Sequence, residues 1–144
     1  MSKDPFEQLM MNIKGNASLR PRRRTVKLDE TGTNGTAAIP YEETEITITV
    51  QDLKNQYDKQ NGRCYWMDYK LNPNDIFESR NNAAMSCDRL DNDKGYVKGN
   101  FVITTRFANL GKRTMSNRKF RIFMERWKSD VRNEVREDSI ERFC

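Results

Sequence analysis

The sequence predicts a small α+β domain with an extended N-terminal arm. Two observations favour this class. Two short apolar runs are typical of paired strands, and the segments on either side of them have apolar residues at helical spacing. The length of 144 residues allows one small core with arms rather than two full cores. No stretch approaches the ~18 consecutive apolar residues of a membrane span, so we expect no membrane partner.

The N-terminal segment predicts a short helix followed by a basic arm. Asp4 can cap this helix, Pro5 suits its first position, and Glu7 completes a capping box. Gly15-Asn16 predicts its end, and we interpret residues 29–45 as an extended loop or mobile arm. The apolar face of the helix comprises Phe6, Leu9, Met10 and Ile13. The basic run that follows comprises Arg20, Arg22, Arg23, Arg24 and Lys27.

The next segment predicts a brief extended stretch and a second helix. Apolar residues alternate with threonines over residues 46–50, a strand-like pattern. Thr49 can also cap a helix, because Asp52 stands three residues later, and Asn61-Gly62 provides the stop. Residues 64–71 are rich in aromatic side chains and predict a short hairpin or turn packed onto the core.

The C-terminal half predicts two strands and two helices. Residues 84–90 and 100–105 predict strands joined by the polar loop Asp91–Gly99, and residues 106–113 suit a short helix. A long helix should begin near residues 114–116. Its apolar stripe, which we interpret as core or packing surface, comprises Phe120, Phe123, Met124, Trp127, Val131 and Val135.

The positive charge is concentrated in one block of the chain. Of the net charge of +5, residues 86–128 contribute +7 from 11 basic and 4 acidic side chains, and residues 129–144 contribute −2. A basic surface of this kind favours nucleic acid as a partner. We divide the chain into an N-terminal helix and arm (1–45), a central domain (46–128) and a C-terminal helix end and tail (129–144).

The chain has no histidine and three cysteines. The first fact excludes imidazole general bases and histidine-ligated metals. The cysteines Cys64, Cys87 and Cys144 are odd in number and form no C-x-x-C pair, so we expect neither a disulfide framework nor a structural zinc site. The N-terminus lacks an apolar signal core, so we expect an intracellular protein that is not secreted.

Two polar residues suggest a metal site. Asp88 ends the first predicted strand and Asn109 lies on the helix after the second, so a strand–strand–helix unit would bring a carboxylate and an amide oxygen together. Hard oxygen ligands suit Mg²⁺ or Mn²⁺ completed by water and phosphate oxygens. A metal within a basic surface is what phosphodiester cleavage requires. The alternative is that Asp88 caps a turn, Asn109 is a surface amide and the basic block is a solvated face.

The same stretch resembles the ββα-metal finger of HNH (His-Me finger) endonucleases, in the divergent form of phage and large-virus proteins. The matching residues are Asp88-Arg89, Asn100 within Gly-Asn-Phe-Val-Ile-Thr, and Asn109 within Asn-Leu-Gly-Lys, and a looser match extends over about residues 46–127. The resemblance implies a ββα-metal (His-Me) finger with flanking helices, in which Asp88 and Asn109 hold the metal and Asn100 braces the loop. It implies a metal-dependent DNA endonuclease, such as a homing-type viral nuclease, in the cytoplasm of a host or infected cell.

The chain departs from that family at its general base. Arg89 stands where the family places a water-activating histidine. A guanidinium keeps its proton in proteins and cannot act as a general base at neutral pH, although it can hold the scissile phosphate. Metal-bound hydroxide, a substrate phosphate or a tyrosine could activate the water instead. The candidate tyrosines are Tyr57 and Tyr96, and for each of them a purely structural role is the alternative.

Basic side chains outside the motif predict contacts with double-stranded DNA. The candidates are Arg20, Arg22, Arg23, Arg24, Lys94, Lys98, Arg106, Lys112, Arg113, Arg118 and Lys119. Such contacts would position DNA without reading its sequence. The alternative function is a catalytically inactive descendant that binds nucleic acid or assembles with other proteins. A homodimer would suit a palindromic double-strand cut, but no residue indicates one.

Overall fold

Four α-helices and two small antiparallel sheets form the part of the chain that the computed structural model describes, namely residues 3–18, 26–27, 34–35, 44–113 and 115–137. The elements in chain order are α1 (Pro5–Ser18), β1 (Val26–Lys27), β2 (Asn34–Gly35), α2 (Val50–Lys59), a 3₁₀ helix (Pro73–Phe77), β3 (Met85–Arg89), β4 (Phe101–Thr105), α3 (Arg106–Lys112) and α4 (Asn117–Glu137). The predicted α+β class is confirmed. In these ranges no helix combines the length and the apolar character needed to cross a bilayer.

Local capping signals set the starts of the first two helices. The Asp4 carboxylate accepts a hydrogen bond from the backbone of Phe6 at the start of α1. Thr49 and Asp52 form a reciprocal capping box at the start of α2, as predicted. The predicted stop of α1 at Gly15-Asn16 is wrong, because the helix continues to Ser18. Glycine and asparagine weaken a helix by less than about 1 kcal/mol each, which the packing of α1 offsets.

The first helix belongs to the main hydrophobic core. Leu9, Met10 and Ile13 of α1 are buried in the same cluster as Leu53 of α2 and Ile103 of β4. The predicted boundary after residue 45 therefore separates α1 from the core that it helps to form. The basic run from Arg20 to Arg24 lies outside the described residues.

The two central strands form an antiparallel pair. Met85 pairs with Thr105, and Arg89 pairs with Phe101 at the other end. All five residues of β4 are buried, which is typical of a strand covered on both faces. The predicted strands and the short helix after them are confirmed to within one residue at each end.

The strand expected at residues 46–50 is reduced to a single bridge. Ile46 bridges Tyr96, and the pairing stops there, because Thr49 caps α2. Farther upstream, within the predicted arm, β1 and β2 form a two-residue ladder that pairs Val26 with Gly35.

The long C-terminal helix is buried only near its beginning. Phe120 and Met124 lie in the core, whereas Phe123, Trp127 and Val131 are exposed. The 21 residues of α4 extend about 32 Å. The prediction that Phe123, Trp127 and Val131 belong to the core is therefore wrong, and their role as a packing surface stays a prediction. The side chain of Val135 lies outside the described residues, and α4 crosses the predicted boundary after residue 128 without a break.

We expect Leu53→Ala to lower the free energy of unfolding by about 2–5 kcal/mol, because it leaves a cavity in the core. Leu53 is 0% exposed on α2. The matched control is Leu110→Ala on α3, whose side chain is 54% exposed; this variant should change stability by less than about 0.5 kcal/mol. Urea unfolding followed by circular dichroism measures both. Equal effects of the two substitutions would contradict this assignment of the core.

Candidate functional site

The site lies where α3 packs along β3. Alternate strand residues share a face, which places Ser86 and Asp88 together, and helical spacing places Asn109 and Lys112 together. The Asn109 amide Nδ2 donates to the Ser86 hydroxyl at 2.8 Å, and Lys112 Nζ donates to Asp88 Oδ2 at 2.9 Å. We call these paired contacts the β3–α3 seam. It brings Asp88 and Asn109 to one interface, but the direct partner of Asp88 is Lys112.

The ion pair between Asp88 and Lys112 is buried against Trp66, a residue that α4 also contacts. Its side chains are 10% and 5% exposed, respectively. Asp88 Oδ2 also accepts a hydrogen bond from the Trp66 indole at 3.0 Å, and Lys112 Nζ lies 4.9 Å from the centre of the Trp66 ring. Phe120 and Arg121 of α4 contact the same ring, at 5.2 and 5.0 Å. The pair is thus buried against one aromatic ring, and removal of one charge from a buried pair typically costs about 3–5 kcal/mol.

A strained turn follows the ion pair and directs the start of α4. The Lys112 carbonyl accepts a hydrogen bond from the Met115 backbone at 2.9 Å, and Arg113 between them has a φ of +46°. This region favours glycine and typically costs 1–3 kcal/mol for other residues. After the turn, Asn117 Nδ2 donates to the Leu90 carbonyl at 2.6 Å. The first turn of α4 is therefore tied to the end of β3.

The Asn100 side chain holds the loop between the strands. Its Oδ1 accepts a hydrogen bond from the Asp91 backbone at 2.9 Å, and its Nδ2 donates to the carbonyls of Asp91 and Gly95 at 3.0 and 2.9 Å. Asn100 is itself buried. It therefore closes the loop, in the position where the resemblance places a loop brace.

Arg89 faces the loop rather than the ion pair. Its Nη1 donates to the carbonyls of Asn92 and Lys94 at 3.2 and 3.1 Å, and its guanidinium lies 5.4 Å from the centre of the Tyr96 ring. Successive strand residues point to opposite faces, so Arg89 and Asp88 have separate surroundings. The structure gives Arg89 a role in holding the loop, and its contact with a phosphate stays a prediction.

The two candidate tyrosines lie in different environments. Burial raises the pKa of Tyr96 above its ordinary value of 10.0, and the nearby Cys87 acts in the same direction. The Tyr96 hydroxyl therefore stays protonated at neutral pH, where a general base must be deprotonated. Tyr57 packs edge-on against Phe6, with ring centres 5.3 Å apart, and its hydroxyl lies beside Gly62. This is the interface of α1 and α2 rather than the β3–α3 seam.

The donor set of the seam suits a hard divalent cation. Among the described residues, no three aspartate, glutamate or cysteine side chains converge on one point. Mg²⁺, however, usually takes one or two protein carboxylates and completes its shell with water and substrate phosphates. The Asp88 carboxylate and the Asn109 amide oxygen are such ligands, so their chemistry fits Mg²⁺ or Mn²⁺. The obstacle at this position is the ammonium of Lys112.

Most of the predicted DNA contacts that the structure describes are exposed. Lys94 and Lys98 are 68% and 80% exposed, and their acidic partners Asp91 and Asp52 are 4.0 and 3.7 Å away. Arg106, Arg113, Arg118 and Lys119 are exposed as well. Lys112 is the exception: its assignment as a DNA contact is corrected, because its ammonium is buried against Asp88.

The exposed basic residues are divided between the two ends of the strand pair. Arg106 begins α3 beside Ala84, at the end opposite the loop Asp91–Gly99. Lys94 and Lys98 lie on that loop. Asn117 connects the beginning of α4, with Arg118 and Lys119, to the loop end of β3. The loop lysines and the start of α4 therefore lie at the same end of the strand pair.

Comparisons with known proteins place the chain in no family. No protein-family model matches it, and neither a curated protein nor a solved structure gives a significant match. The resemblance to the HNH finger therefore rests on its motif residues, of which Asp88 lies on β3, Asn100 directly precedes β4 and Asn109 lies on α3.

Sequence reasoning missed the partners of Asp88. Lys112 follows Asn109 by three residues, so helix periodicity places it on the same face as Asn109. Ser86 precedes Asp88 by two residues, so strand periodicity places it on the same face as Asp88. That spacing is a usable signal. Trp66 is harder to find: a buried indole needs an acceptor, but nothing in the sequence indicates which carboxylate supplies it.

We expect Asn100→Ala to lower the free energy of unfolding by about 1–3 kcal/mol, because it leaves buried loop groups without partners. Amide hydrogen exchange at Asp91 should accelerate at the same time. Asn55→Ala is the control, since Asn55 is an exposed side chain bonded to Gln51 on α2. Unchanged exchange at Asp91 in Asn100→Ala would contradict the bracing role.

Proposed function

We propose that this chain is a metal-dependent DNA endonuclease that hydrolyses phosphodiester bonds, and that its active site is a ββα-metal finger built on the β3–α3 seam. The observation that carries the proposal is the placement of Asp88 and Asn109 on the two facing surfaces of this seam. The loop braced by Asn100 adjoins it. These are the three residues to which the resemblance assigns the metal and the loop.

The chain would supply the ligands and the electrostatic environment. Asp88 and Asn109 would hold Mg²⁺ or Mn²⁺, which when bound supplies charge that stabilises a pentacoordinate phosphate. The exposed lysines of the loop and the basic start of α4 would hold the DNA backbone by charge, independently of sequence. Lys94, Lys98, Arg118 and Lys119 are the residues that we assign to this role.

The proton acceptor in this proposal is an oxygen of the substrate itself. The Arg89 guanidinium is bonded to two loop carbonyls, and burial raises the pKa of Tyr96, so its hydroxyl keeps its proton at neutral pH. Tyr57 lies at the α1–α2 interface. In this proposal a phosphate oxygen of the DNA would take the proton of the attacking water, the scissile P–O bond would break as the water oxygen bonds to phosphorus, and the leaving oxygen would take up a proton from solvent. Arg89 would support the loop beside the site.

A second function is supported by a separate observation. The Asp88 carboxylate already pairs with Lys112, and Arg89 already binds two loop carbonyls. These contacts favour a protein in which the catalytic residues have become structural. Such a protein would bind nucleic acid through the same basic residues but would not cleave it.

A plasmid-nicking assay tests the first function. We expect the wild-type chain to nick supercoiled plasmid in Mg²⁺ or Mn²⁺, and Asp88→Asn to lose at least 100-fold in rate, because an amide is a weaker metal ligand than a carboxylate. Ser79→Ala, at an exposed position outside the seam, is the control that should cleave normally. Circular dichroism confirms that each variant is folded.

Two outcomes of that assay contradict the proposal. If the folded wild-type chain binds DNA but cleaves none in either metal, the non-cleaving function is the correct one. If Asp88→Asn cleaves as fast as the wild type, the seam is not the active site.

We expect DNA affinity to fall steeply with salt, since phosphate contacts dominate it. Replacing Arg118 and Lys119 by alanine should reduce the slope of log K against log salt concentration by about 1 for each contact that is lost. Fluorescence anisotropy with a labelled duplex measures this. Lys54→Ala is the control, because Lys54 lies on α2 and is paired with Asp4 at 2.7 Å. An affinity that ignores salt between ~50 and ~200 mM would contradict phosphate-dominated binding.

A further inference from the structure

A lysine ammonium group already neutralises the carboxylate to which the proposed function assigns the metal. Lys112 Nζ lies 2.9 Å from Asp88 Oδ2, and its side chain is 5% exposed. The same ammonium lies over the Trp66 ring. It is therefore anchored by one anion and one aromatic face, rather than being a mobile surface charge.

The two cations would compete for one anion. A second positive charge near Asp88 is repelled by the ammonium, and this repulsion is little screened because the pair is buried. The Asn109 amide, one helical turn away, adds an oxygen but no charge to balance a divalent ion. Binding of the ion thus depends on how firmly Lys112 holds Asp88.

We propose that Lys112 is the resident cation of the Asp88 site and that it competes with the divalent metal, so that the free protein binds metal weakly. This inference rests on the proposed function, which supplies the location of the metal. It makes Lys112 a positioning residue: in the metal-free protein the lysine holds Asp88 in place on the seam. It also predicts that removal of the ammonium strengthens metal binding.

The chain contains a second lysine–aspartate pair for comparison, which is more exposed, at 39% for Lys54 and 29% for Asp4. Lys54 Nζ lies 2.7 Å from Asp4 Oδ2 and 6.0 Å from the centre of the Phe6 ring. This group has the same three chemical components as the group of Lys112, Asp88 and Trp66: a lysine, an aspartate and an aromatic ring. It lies between α1 and α2, so a general effect of losing a lysine–aspartate pair would show there as well.

The test measures Mn²⁺ binding to the full chain without DNA, by electron paramagnetic resonance of the free ion. We expect Lys112→Met to bind Mn²⁺ at least tenfold more tightly than the wild type. Lys54→Met should match the wild type. The double variant Asp88→Asn with Lys112→Met should lose the gain, because the carboxylate that attracts the ion is gone.

A second measurement covers the case in which Lys112→Met is unstable. In this variant the buried Asp88 carboxylate lacks a counter-ion, and bound Mn²⁺ should replace the missing positive charge. The melting temperature of the variant should therefore rise with Mn²⁺ concentration. The wild type and the double variant should show a much smaller rise. If Lys112→Met is unfolded without metal, Mn²⁺ should induce folding that circular dichroism detects. An affinity within twofold of the wild type, together with no response of melting or folding to Mn²⁺, overturns the inference.

The result is separable from that of the nicking assay. If the wild type cleaves DNA but Lys112→Met binds Mn²⁺ no more tightly, the inference about Lys112 is overturned and the proposed function is kept. If Lys112→Met gains Mn²⁺ affinity through Asp88 but no cleavage is found, the cation competition is supported and the endonuclease function fails.

Discussion

The buried pair of Asp88 and Lys112 is the interaction on which the arrangement of this molecule depends. It joins β3 to α3, and through Trp66 it also joins the segment before β3 and the first turns of α4. Two charges removed from water are stabilising only when their geometry is good and their remaining hydrogen-bonding capacity is used. Here an indole N–H and an aromatic face meet that requirement.

Under the proposed function, stability and activity draw on the same side chains. The carboxylate that is the best candidate for chemistry is also the anchor of a buried ion pair, and Arg89 stabilises the loop that it would need to leave to reach a phosphate. Variants at such positions change folding and activity together. This is why each experiment on the seam pairs a substitution with a folding control or a matched group elsewhere.

Local features of the fold could be predicted from the sequence, and long-range ones could not. The Thr49–Asp52 capping box and the two central strands depend on residues that are close in the chain, so pattern and spacing sufficed. The basic block predicts Lys112 as a DNA contact, whereas its burial depends on a partner, because lysine is rarely buried unless it is paired. The partner of Lys112, Asp88, is 24 residues away along the chain, and its aromatic neighbour Trp66 is farther still. The exposure of Trp127 on α4 likewise does not follow from the apolar spacing of the helix.

The seam ends where α3 ends, after only seven residues. From Asn109 to Lys112 a helix advances about 4.5 Å, whereas from Ser86 to Asp88 a strand advances about 6.8 Å, so the two spacings differ by about 2 Å. The chain breaks at Arg113, and Asn117 of α4 makes the contact with the Leu90 carbonyl that follows β3. The row of contacts along this strand is thus extended by a second helix rather than by a longer first one.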